Sequence, residues 1–354
     1  MSGKLINLHY LRGIASLLVV FLHYNFILPD YAQKYVTTGG VGVDTFFVIS
    51  GFIITYATQK RERVSEFTIK RIFRIYPLFI FVWIIASATV YSSVPFKDLI
   101  KSLMLFHNDY NFSSAPAYGF NLMGTPWTLT YEVYFYALFC VSIAISQRYR
   151  ALICSIIIVS LVSFLQVYFN HGFSFDSHVS SSLYISKWWM VPVKILSTTI
   201  LFEFIAGMAL AQAFIAVRRK PNLAILCCTL ALSLLIILIV GRSINLAVVG
   251  MAGCMWIAVP LVLSAIALDK AGKTINIRFL NNAGDISYSL YLVHFPVMIY
   301  VRSHFFEKAE LNDSQRFLSY AFMIAICYLL ANITHFLIEK PAIKTSRRLI
   351  SQLT

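Results

Sequence analysis

Long apolar segments follow one another along this chain, and each is about as long as a helix that crosses a membrane. A bilayer core of about 30 Å takes roughly 20 apolar residues in a helix. The segments run over 8–28, 39–57, 73–92, 127–146, 151–170, 190–216, 223–240, 247–268, 285–301 and 317–338. Hydrophobic residues make up 59% of the 354 positions and charged residues only 12%, whereas soluble domains carry about 25% charged residues. This composition excludes a soluble enzyme and predicts an all-α integral membrane protein, a bundle of about ten transmembrane helices.

The spacing of these segments leaves no stretch long enough for a second folded domain. No repeat, low-complexity tract or linker divides the chain, so we predict one integral membrane domain over residues 1–354. The six cysteines all lie inside apolar segments, without the Cys-x-x-Cys or Cys/His spacing of a metal site. We therefore expect no metal cofactor.

The distribution of positive charge indicates how the helices are oriented. A formal net charge of +14 suggests nucleic acid in a soluble protein, but in a membrane protein positive residues collect in cytoplasmic loops. With the N-terminus inside, the cytoplasmic loops contain 19 Lys and Arg residues and the opposite loops contain 8. An added or missing helix would destroy this alternation. This split of positive charge predicts an even number of spans with both termini cytoplasmic. Because cytoplasmic loops explain the positive charge, we expect no nucleic-acid partner.

The first apolar segment carries ionisable residues, which cost roughly 2.5–3.5 kcal/mol each inside a membrane. Arg12 and His23 are eleven residues apart, which is three helical turns plus about 20°, so their side chains share one face. The helix rises about 16.5 Å between them. Arg12 is then near the cytoplasmic side and His23 in the outer half, along one vertical groove. A snorkelling arginine and a histidine that stabilises helix packing would give the same pattern.

This spacing resembles the R/K-x10-H signature of the membrane-bound acyltransferase 3 family, whose members move acyl groups onto exported glycans and lipids. Further segments resemble motifs of the same family and follow the family's order from the first helix to the last. They are GGVGVDTFFVISGF (39–52), KRIFRIYPLF (70–79), WTLTYEVYFY (127–136), ISYSLYLVHFPV (286–297) and EKP (339–341). The departure we note is Thr128, which stands where the family usually has serine.

The resemblance implies an acyltransferase of the bacterial inner (plasma) membrane that takes an acyl group from cytoplasmic acyl-CoA. We expect the group to be acetyl and the donor to be acetyl-CoA. The acceptor would be a hydroxyl of an outward-facing cell-surface glycan or lipid-linked sugar; O-antigen, capsule and other exopolysaccharides all fit. Its partners would be acyl-CoA, this acceptor and membrane lipids. Some relatives carry an appended soluble hydrolase-like domain, which we do not expect here.

Four ionisable residues near the outer ends of their segments are candidate catalytic groups. His23, Asp44, Glu132 and His294 each lie about five to seven residues from an outer end, roughly 7–11 Å below the surface. Acyl transfer needs a base for the acceptor hydroxyl, and histidine titrates near neutrality. We predict His23 as this base or as a brief acyl carrier, which the resemblance favours, with Glu132 or else Asp44 orienting it. A polar network that fixes helix packing is the alternative.

The remaining candidates on the outer side belong to a predicted acceptor pocket. They are His294, Trp127, Tyr131 and Tyr136. Ser50 in ISGF is a less favoured nucleophile, because Ser-Gly more often marks a close helix contact in membranes and no G-x-S-x-G elbow surrounds it.

Basic residues at the inner end of the third segment form the predicted donor site. Arg71 and Arg74 are three residues apart and hence neighbours on a helix face, and with Arg12 they would bind the phosphates of acyl-CoA. Without the resemblance, positive-inside anchors or contacts to anionic lipids would be the better interpretation. Glu339, near the inner end of the tenth segment, is a candidate partner for one of these arginines.

Two other functions remain as alternatives. Intramembrane His, Asp and Glu residues suit a proton-coupled secondary transporter, although no inverted repeat or pair of broken helices stands out. The second alternative is an acyltransferase acting on a lipid acceptor at the inner face. The predicted outer depth of His23 and Glu132 argues against it.

Overall fold

The computed structural model describes residues 4–37, 39–246, 248–306 and 311–353, and these residues form helices and loops without a β-strand. The α-helices are α1 (Ile6–His23), α2 (Asp30–Gln33), α3 (Gly39–Ala57), α4 (Val64–Ala88), α5 (Phe96–Leu103), α6 (Trp127–Ile145), α7 (Arg150–Asn170), α8 (Val191–Leu196), α9 (Phe202–Ala216), α10 (Leu223–Ser243), α11 (Met255–Ala271), α12 (Arg278–Val301), α13 (Asp313–Thr334) and α14 (Lys340–Leu353). Every predicted apolar segment overlaps at least one of these helices. Position 247, where the eighth segment begins, lies outside the described residues.

Within the described residues, eight helical stretches are long and apolar enough to cross a membrane. They are Ile6–His23, Asp30–Ala57, Val64–Ala88, Trp127–Ile145, Arg150–Asn170, Thr199–Ala216, Leu223–Ser243 and Asp313–Gln352. The other two predicted spans are shorter or more polar, since α11 has 17 residues and α12 opens with RFLNNAGD. The fold is that of a multi-pass all-α membrane protein, and a total of ten spans stays a prediction.

The packing of α1 against α12 positions the candidate site. Glycines allow the two helices to approach closely: a Cβ atom on Gly13 would lie 2.6 Å from the Gly284 nitrogen, and one on Gly284 would lie 2.5 Å from the His9 carbonyl oxygen. Backbones this close fix the register of the helix pair. The register places the polar face of α1, with Arg12 and His23, against α12.

A second glycine contact joins α3 to α9. Gly51 in α3 faces the Phe204 carbonyl, and Gly207 in α9 faces the Val48 carbonyl, so that a Cβ atom at either glycine would collide with backbone. The Ser-Gly pair in ISGF therefore includes the close helix contact that the sequence predicts. A Cβ atom on Gly42 in α3 would lie 2.6 Å from the Ala15 carbonyl oxygen in α1, so the two helix pairs also contact each other closely.

The chain between α4 and α6 folds into the end of the bundle that the charge distribution predicts to face outward, which we call the outer side. His107 and Tyr118 in this outer segment are almost completely buried. Thr125, close to its end, donates a hydrogen bond to the Tyr291 carbonyl in α12 at 3.2 Å. Because Tyr291 precedes the outer end of α12 by ten residues, or about 15 Å, α6 begins well below that end. Residues early in α6 consequently lie farther from the outer end of the bundle than their position in the sequence suggests.

Candidate active site

Two histidines meet at the outer end of α1. His23 is the last residue of α1, and its Nδ1 atom lies 3.3 Å from Nε2 of His294 in α12. The ring centroids are 5.1 Å apart, and the Phe295 ring meets the His23 ring edge-on at 5.5 Å. His294 is fully buried whereas His23 is partly exposed, so His23 is the more accessible histidine of the pair.

Backbone carbonyls determine which nitrogen of each ring carries the hydrogen. His23 Nδ1 lies 2.8 Å from the Val19 carbonyl oxygen, and His294 Nδ1 lies 2.9 Å from the Leu290 carbonyl oxygen. A carbonyl oxygen can only accept, so in the neutral rings each Nδ1 carries the hydrogen. His294 Nε2 is then a second, more distant acceptor for the His23 Nδ1–H group, which donates to the Val19 carbonyl oxygen. His23 Nε2 keeps its lone pair, so it can take a proton while His294 accepts from the resulting imidazolium.

A cavity of about 120 Å³ lies on the inner side of this histidine pair. Its basic lining residues are Arg12, Arg71 and Arg74. Glu132 is the one acidic side chain among the described lining residues. Tyr291 also lines the cavity, and its ring centroid lies 6.0 Å from that of His294. The excess of positive charge in the lining suits an anionic ligand.

Two of the three arginines are already engaged by protein groups. Arg12 donates hydrogen bonds to the Ser287 hydroxyl and the Gly284 carbonyl, each at 2.8 Å. Arg74 forms an ion pair with the buried carboxylate of Glu339. The predicted pairing of Glu339 with an arginine of the donor cluster is therefore confirmed. Both side chains are fixed in orientation before any ligand binds.

Arg71 is bound differently. Its guanidinium lies over the rings of Phe67 and Tyr136, at 5.1 and 5.5 Å from their centroids. Its Nε atom is buried and has no hydrogen-bond partner in the described part of the chain. Such a donor is costly to leave unsatisfied, so Arg71 is the cavity residue with the strongest need for an anionic or polar ligand.

Glu132 lies among these arginines and not beside His23. It accepts hydrogen bonds from the hydroxyls of Ser50, at 3.0 Å, and Tyr136. No hydrogen bond or ion pair within the described ranges joins Glu132 to His23. The contact expected for an orienting carboxylate is absent there, and His294 occupies the place beside His23.

The deep start of α6 explains this difference. The hydroxyls of Thr128 and Tyr291 are 2.7 Å apart, so the first turn of α6 lies level with Tyr291. Glu132 follows four residues later, about 6 Å farther from the outer side. His294 lies one turn in the opposite direction along α12. Glu132 and His294 therefore do not share the single depth that the sequence predicts.

Asp44 is also separated from His23. Its Oδ2 atom accepts a hydrogen bond from the Gly250 N–H at 2.8 Å. Its Oδ1 atom, like both carboxylate oxygens of the neighbouring Glu203 in α9, has no hydrogen-bond partner in the described part of the chain. Both acids are fully buried. Asp44 and Val48 are one turn apart in α3, on the face that packs against α9, so helical phase turns Asp44 away from α1. The structure thus places Asp44 outside the cavity, contrary to the expectation of a carboxylate beside the base.

The predicted acceptor residues are likewise divided. Tyr136 lines the cavity, and His294 pairs with His23. Tyr131 donates its hydroxyl hydrogen to the Pro116 carbonyl at 2.9 Å, and Trp127 meets the Tyr131 ring edge-on. Trp127 and Tyr131 therefore hold the outer segment against α6 instead of lining the cavity.

Three cavity residues of α12 were not among the predicted site residues. They are Ser287, Tyr288 and Tyr291. Ser287, Tyr291 and His294 are spaced by four and three residues and hence share one helix face. The periodicity that relates Arg12 to His23 would also have identified this face from the motif ISYSLYLVHFPV.

Comparison with known proteins identifies the family to which this chain belongs. The sequence profile described as "Acyltransferase domain" matches residues 5–332, so the chain belongs to this family of membrane acyltransferases and the predicted family is confirmed. The chain is similar to the exopolysaccharide production protein ExoZ of Rhizobium meliloti, with 27% identity over 73% of this chain and 76% of that protein. It is 24% identical to the acyltransferase MdmB of Streptomyces mycarofaciens, over 87% of this chain and 82% of MdmB.

A longer relative is the O-acetyltransferase OatA of Staphylococcus aureus, which is 26% identical over 94% of this chain. The alignment covers 56% of OatA, so the similarity concerns about half of that protein. No solved structure matches the chain.

Proposed function

We propose that the protein transfers an acetyl group from cytoplasmic acetyl-CoA to a hydroxyl of an outward-facing glycan or lipid-linked sugar. The observation that carries the proposal is the basic cavity directly beneath the histidine pair, with Tyr291 between them. Guanidinium groups suit the phosphates of the donor, and an imidazole suits the proton transfer at the acceptor. The names of OatA, an O-acetyltransferase, and ExoZ, an exopolysaccharide production protein, support the acetyl group and the glycan acceptor.

The proposed orientation places the Arg12 end of α1 on the cytoplasmic side and His23 on the outer side. Ten helices would cross the bacterial inner membrane with both termini inside, as the alternation of charged loops predicts. In this orientation the donor enters where phosphates meet arginines, and the acceptor meets the more accessible histidine.

The arginines of the cavity have distinct proposed roles. Arg71 would bind donor phosphate most directly, because its Nε lacks a partner in the described part of the chain. Arg12 and Arg74 would add positive charge from fixed positions. Glu132 would orient the hydroxyls of Ser50 and Tyr136 around the donor arm and would not act on His23.

The proposed reaction uses His23 as a general base. His23 Nε2 takes the proton of the acceptor hydroxyl as its oxygen attacks the thioester carbonyl carbon. The tetrahedral intermediate collapses with cleavage of the carbon–sulfur bond, and the CoA thiolate takes the proton back from the imidazolium. His294 Nε2 accepts from His23 Nδ1–H and stabilises the imidazolium. To reach His23, the acetyl end of the donor must pass Tyr291.

The test is an assay of purified protein with acetyl-CoA labelled in the acetyl group. CoA release and label in a glycan fraction are expected, and His23→Ala should abolish both while the protein stays folded. His304→Ala is the matched control, because His304 is an exposed histidine just beyond the outer end of α12. Normal turnover by His23→Ala would refute the assignment of the base. Label in a lipid fraction would make the acceptor a lipid, and proton-coupled uptake without CoA release would favour the transporter.

A further inference from the structure

A second cavity, of about 290 Å³, opens at the inner end of α1. It shares Arg12, Ile49 and Ile53 with the cavity of the candidate active site. The two cavities therefore adjoin one another along α1 and α3. The second cavity, which we call the inner mouth, is lined by Lys4, Leu5, Leu8, His9, Arg12, Ile49, Ile53, Tyr56 and Ala57.

The polar lining of the inner mouth is basic. Lys4, His9 and Arg12 face it, and the described lining contains no acidic side chain. Asp285 lies beside it, 3.3 Å from Lys4 Nζ and 3.1 Å from His9 Nε2. The Lys4 and Asp285 side chains are 53% and 50% exposed, so water screens their pair and it contributes little stability. Lys4 can thus exchange this partner for a doubly charged phosphate.

The apolar part of the inner mouth includes an aromatic ring. Tyr56 is partly exposed, and its ring is stacked on Phe52 with an interplanar angle of 20°. Ile53 and Ile49, which lie about one and two turns before Tyr56 in α3, extend this apolar surface toward the first cavity. A flat aromatic surface beside basic side chains matches a nucleotide, which combines a stacking base with phosphate.

We propose that the inner mouth binds the nucleotide end of the acyl-CoA donor, with Lys4 contacting the ribose 3′-phosphate and Tyr56 beside the adenine. His9 donates its Nε2–H to the Asn281 carbonyl oxygen at 3.0 Å and is not part of this contact.

The 5′-pyrophosphate then lies at Arg12 and Arg71, and the pantetheine arm continues through the first cavity toward Tyr291. His9 and His23 are 14 residues apart in α1, about 21 Å along the helix axis, so the donor lies extended along α1. This inference rests on the proposed function, because it takes acyl-CoA as the donor.

The experiment compares acetyl-CoA with acetyl-dephospho-CoA, which lacks only the 3′-phosphate. Direct binding measurements on the wild-type protein should show at least tenfold weaker binding of the dephospho donor, because it lacks the 3′-phosphate and cannot form the charged hydrogen bonds of that group. Lys4→Ala should weaken acetyl-CoA binding while leaving acetyl-dephospho-CoA binding nearly unchanged, so the ratio of the two dissociation constants falls toward one. Lys4→Arg should preserve the ratio. Lys273→Ala, an exposed lysine at the same end of the bundle, is the control and should not change it.

Several outcomes would overturn this inference while the proposed function stands. Equal binding of both donors by the wild-type protein would show that the 3′-phosphate is not contacted. Equal losses for both donors in Lys4→Ala would make Lys4 a purely structural residue. An effect of Lys4→Ala that appears in nanodiscs with phosphatidylglycerol but not with phosphatidylcholine, at an unchanged donor ratio, would make the inner mouth a lipid headgroup site. If the wild-type protein neither binds acetyl-CoA nor releases CoA, the proposed function fails together with the inference.

Discussion

Replacement of His294 by leucine tests whether the histidine pair acts as a unit. Leucine fills a similar volume but cannot accept the hydrogen bond from His23 Nδ1–H, which is 3.3 Å from His294 Nε2 in the protein. A hydrogen bond to a charged group contributes about 1.5–3 kcal/mol, and this one lies at the lower end because His23 Nδ1–H is shared with the Val19 carbonyl oxygen at 2.8 Å. It strengthens when His23 becomes an imidazolium in the transition state. At 1.36 kcal/mol per factor of ten, a loss of about 1.5 kcal/mol lowers kcat about tenfold.

The same variant should leave the KM for acetyl-CoA nearly unchanged, because His294 does not line the donor cavity. Initial rates of CoA release, measured over a range of donor concentrations, separate the two parameters, and an interaction made only in the transition state lowers kcat and kcat/KM equally. His294→Gln is the matched control, since its amide oxygen can still accept, and it should recover much of the loss. A folded His294→Leu protein with normal kcat, or an effect confined to KM, would refute the reasoning.

Three further predictions concern stability, each measured by unfolding of the purified protein. Glu339→Gln leaves the partly buried guanidinium of Arg74 without its counter-ion and should cost about 1.5–3 kcal/mol, less than the loss of a fully buried pair; an unchanged unfolding transition would contradict the importance of the ion pair. Gly207→Ala drives a methyl group into the Val48 carbonyl and should cost about 1–3 kcal/mol, whereas wild-type stability would show that the α3–α9 contact is loose. Burial lowers the pKa of His107 to about 3, from 6.5, so the unfolded chain binds the proton between these values and folded stability should fall as the pH drops through this window. In His107→Gln the free energy of unfolding should depend less on pH. Equal slopes of the unfolding free energy against pH for the variant and the wild-type protein would contradict this prediction.

The parts of the site that depend on a single helix could be predicted from the sequence. Arg12 and His23 share a face of α1 because helix geometry alone sets their angle. Both residues do contact the same neighbour, α12, through Ser287 and His294. The position of Arg71 and Arg74 on one face of α4 follows in the same way.

The parts that depend on tertiary packing could not be predicted. Glu132 was assigned to the depth of His23 by counting residues from the start of its segment. That count fails because the outer segment, with His107 and Tyr118 buried in it, folds into the bundle and sets the depth of α6. Periodicity shows that Asp44 and Val48 share a face, but it does not show that this face meets α9.

The two glycine contacts restrict how material can pass through this bundle. Proteins that carry a whole molecule across a membrane tilt or slide one group of helices against another, which requires side chains that repack at the moving surface. Between α1 and α12, and again between α3 and α9, backbone touches backbone at the glycines, which leaves little room for these helices to slide past one another. With these two helix pairs fixed, the flexible arm of the proposed donor would move while the helices stay in place. Under the proposed function, only the acetyl group passes from one side of the membrane to the other, and CoA and the acceptor each stay on their own side.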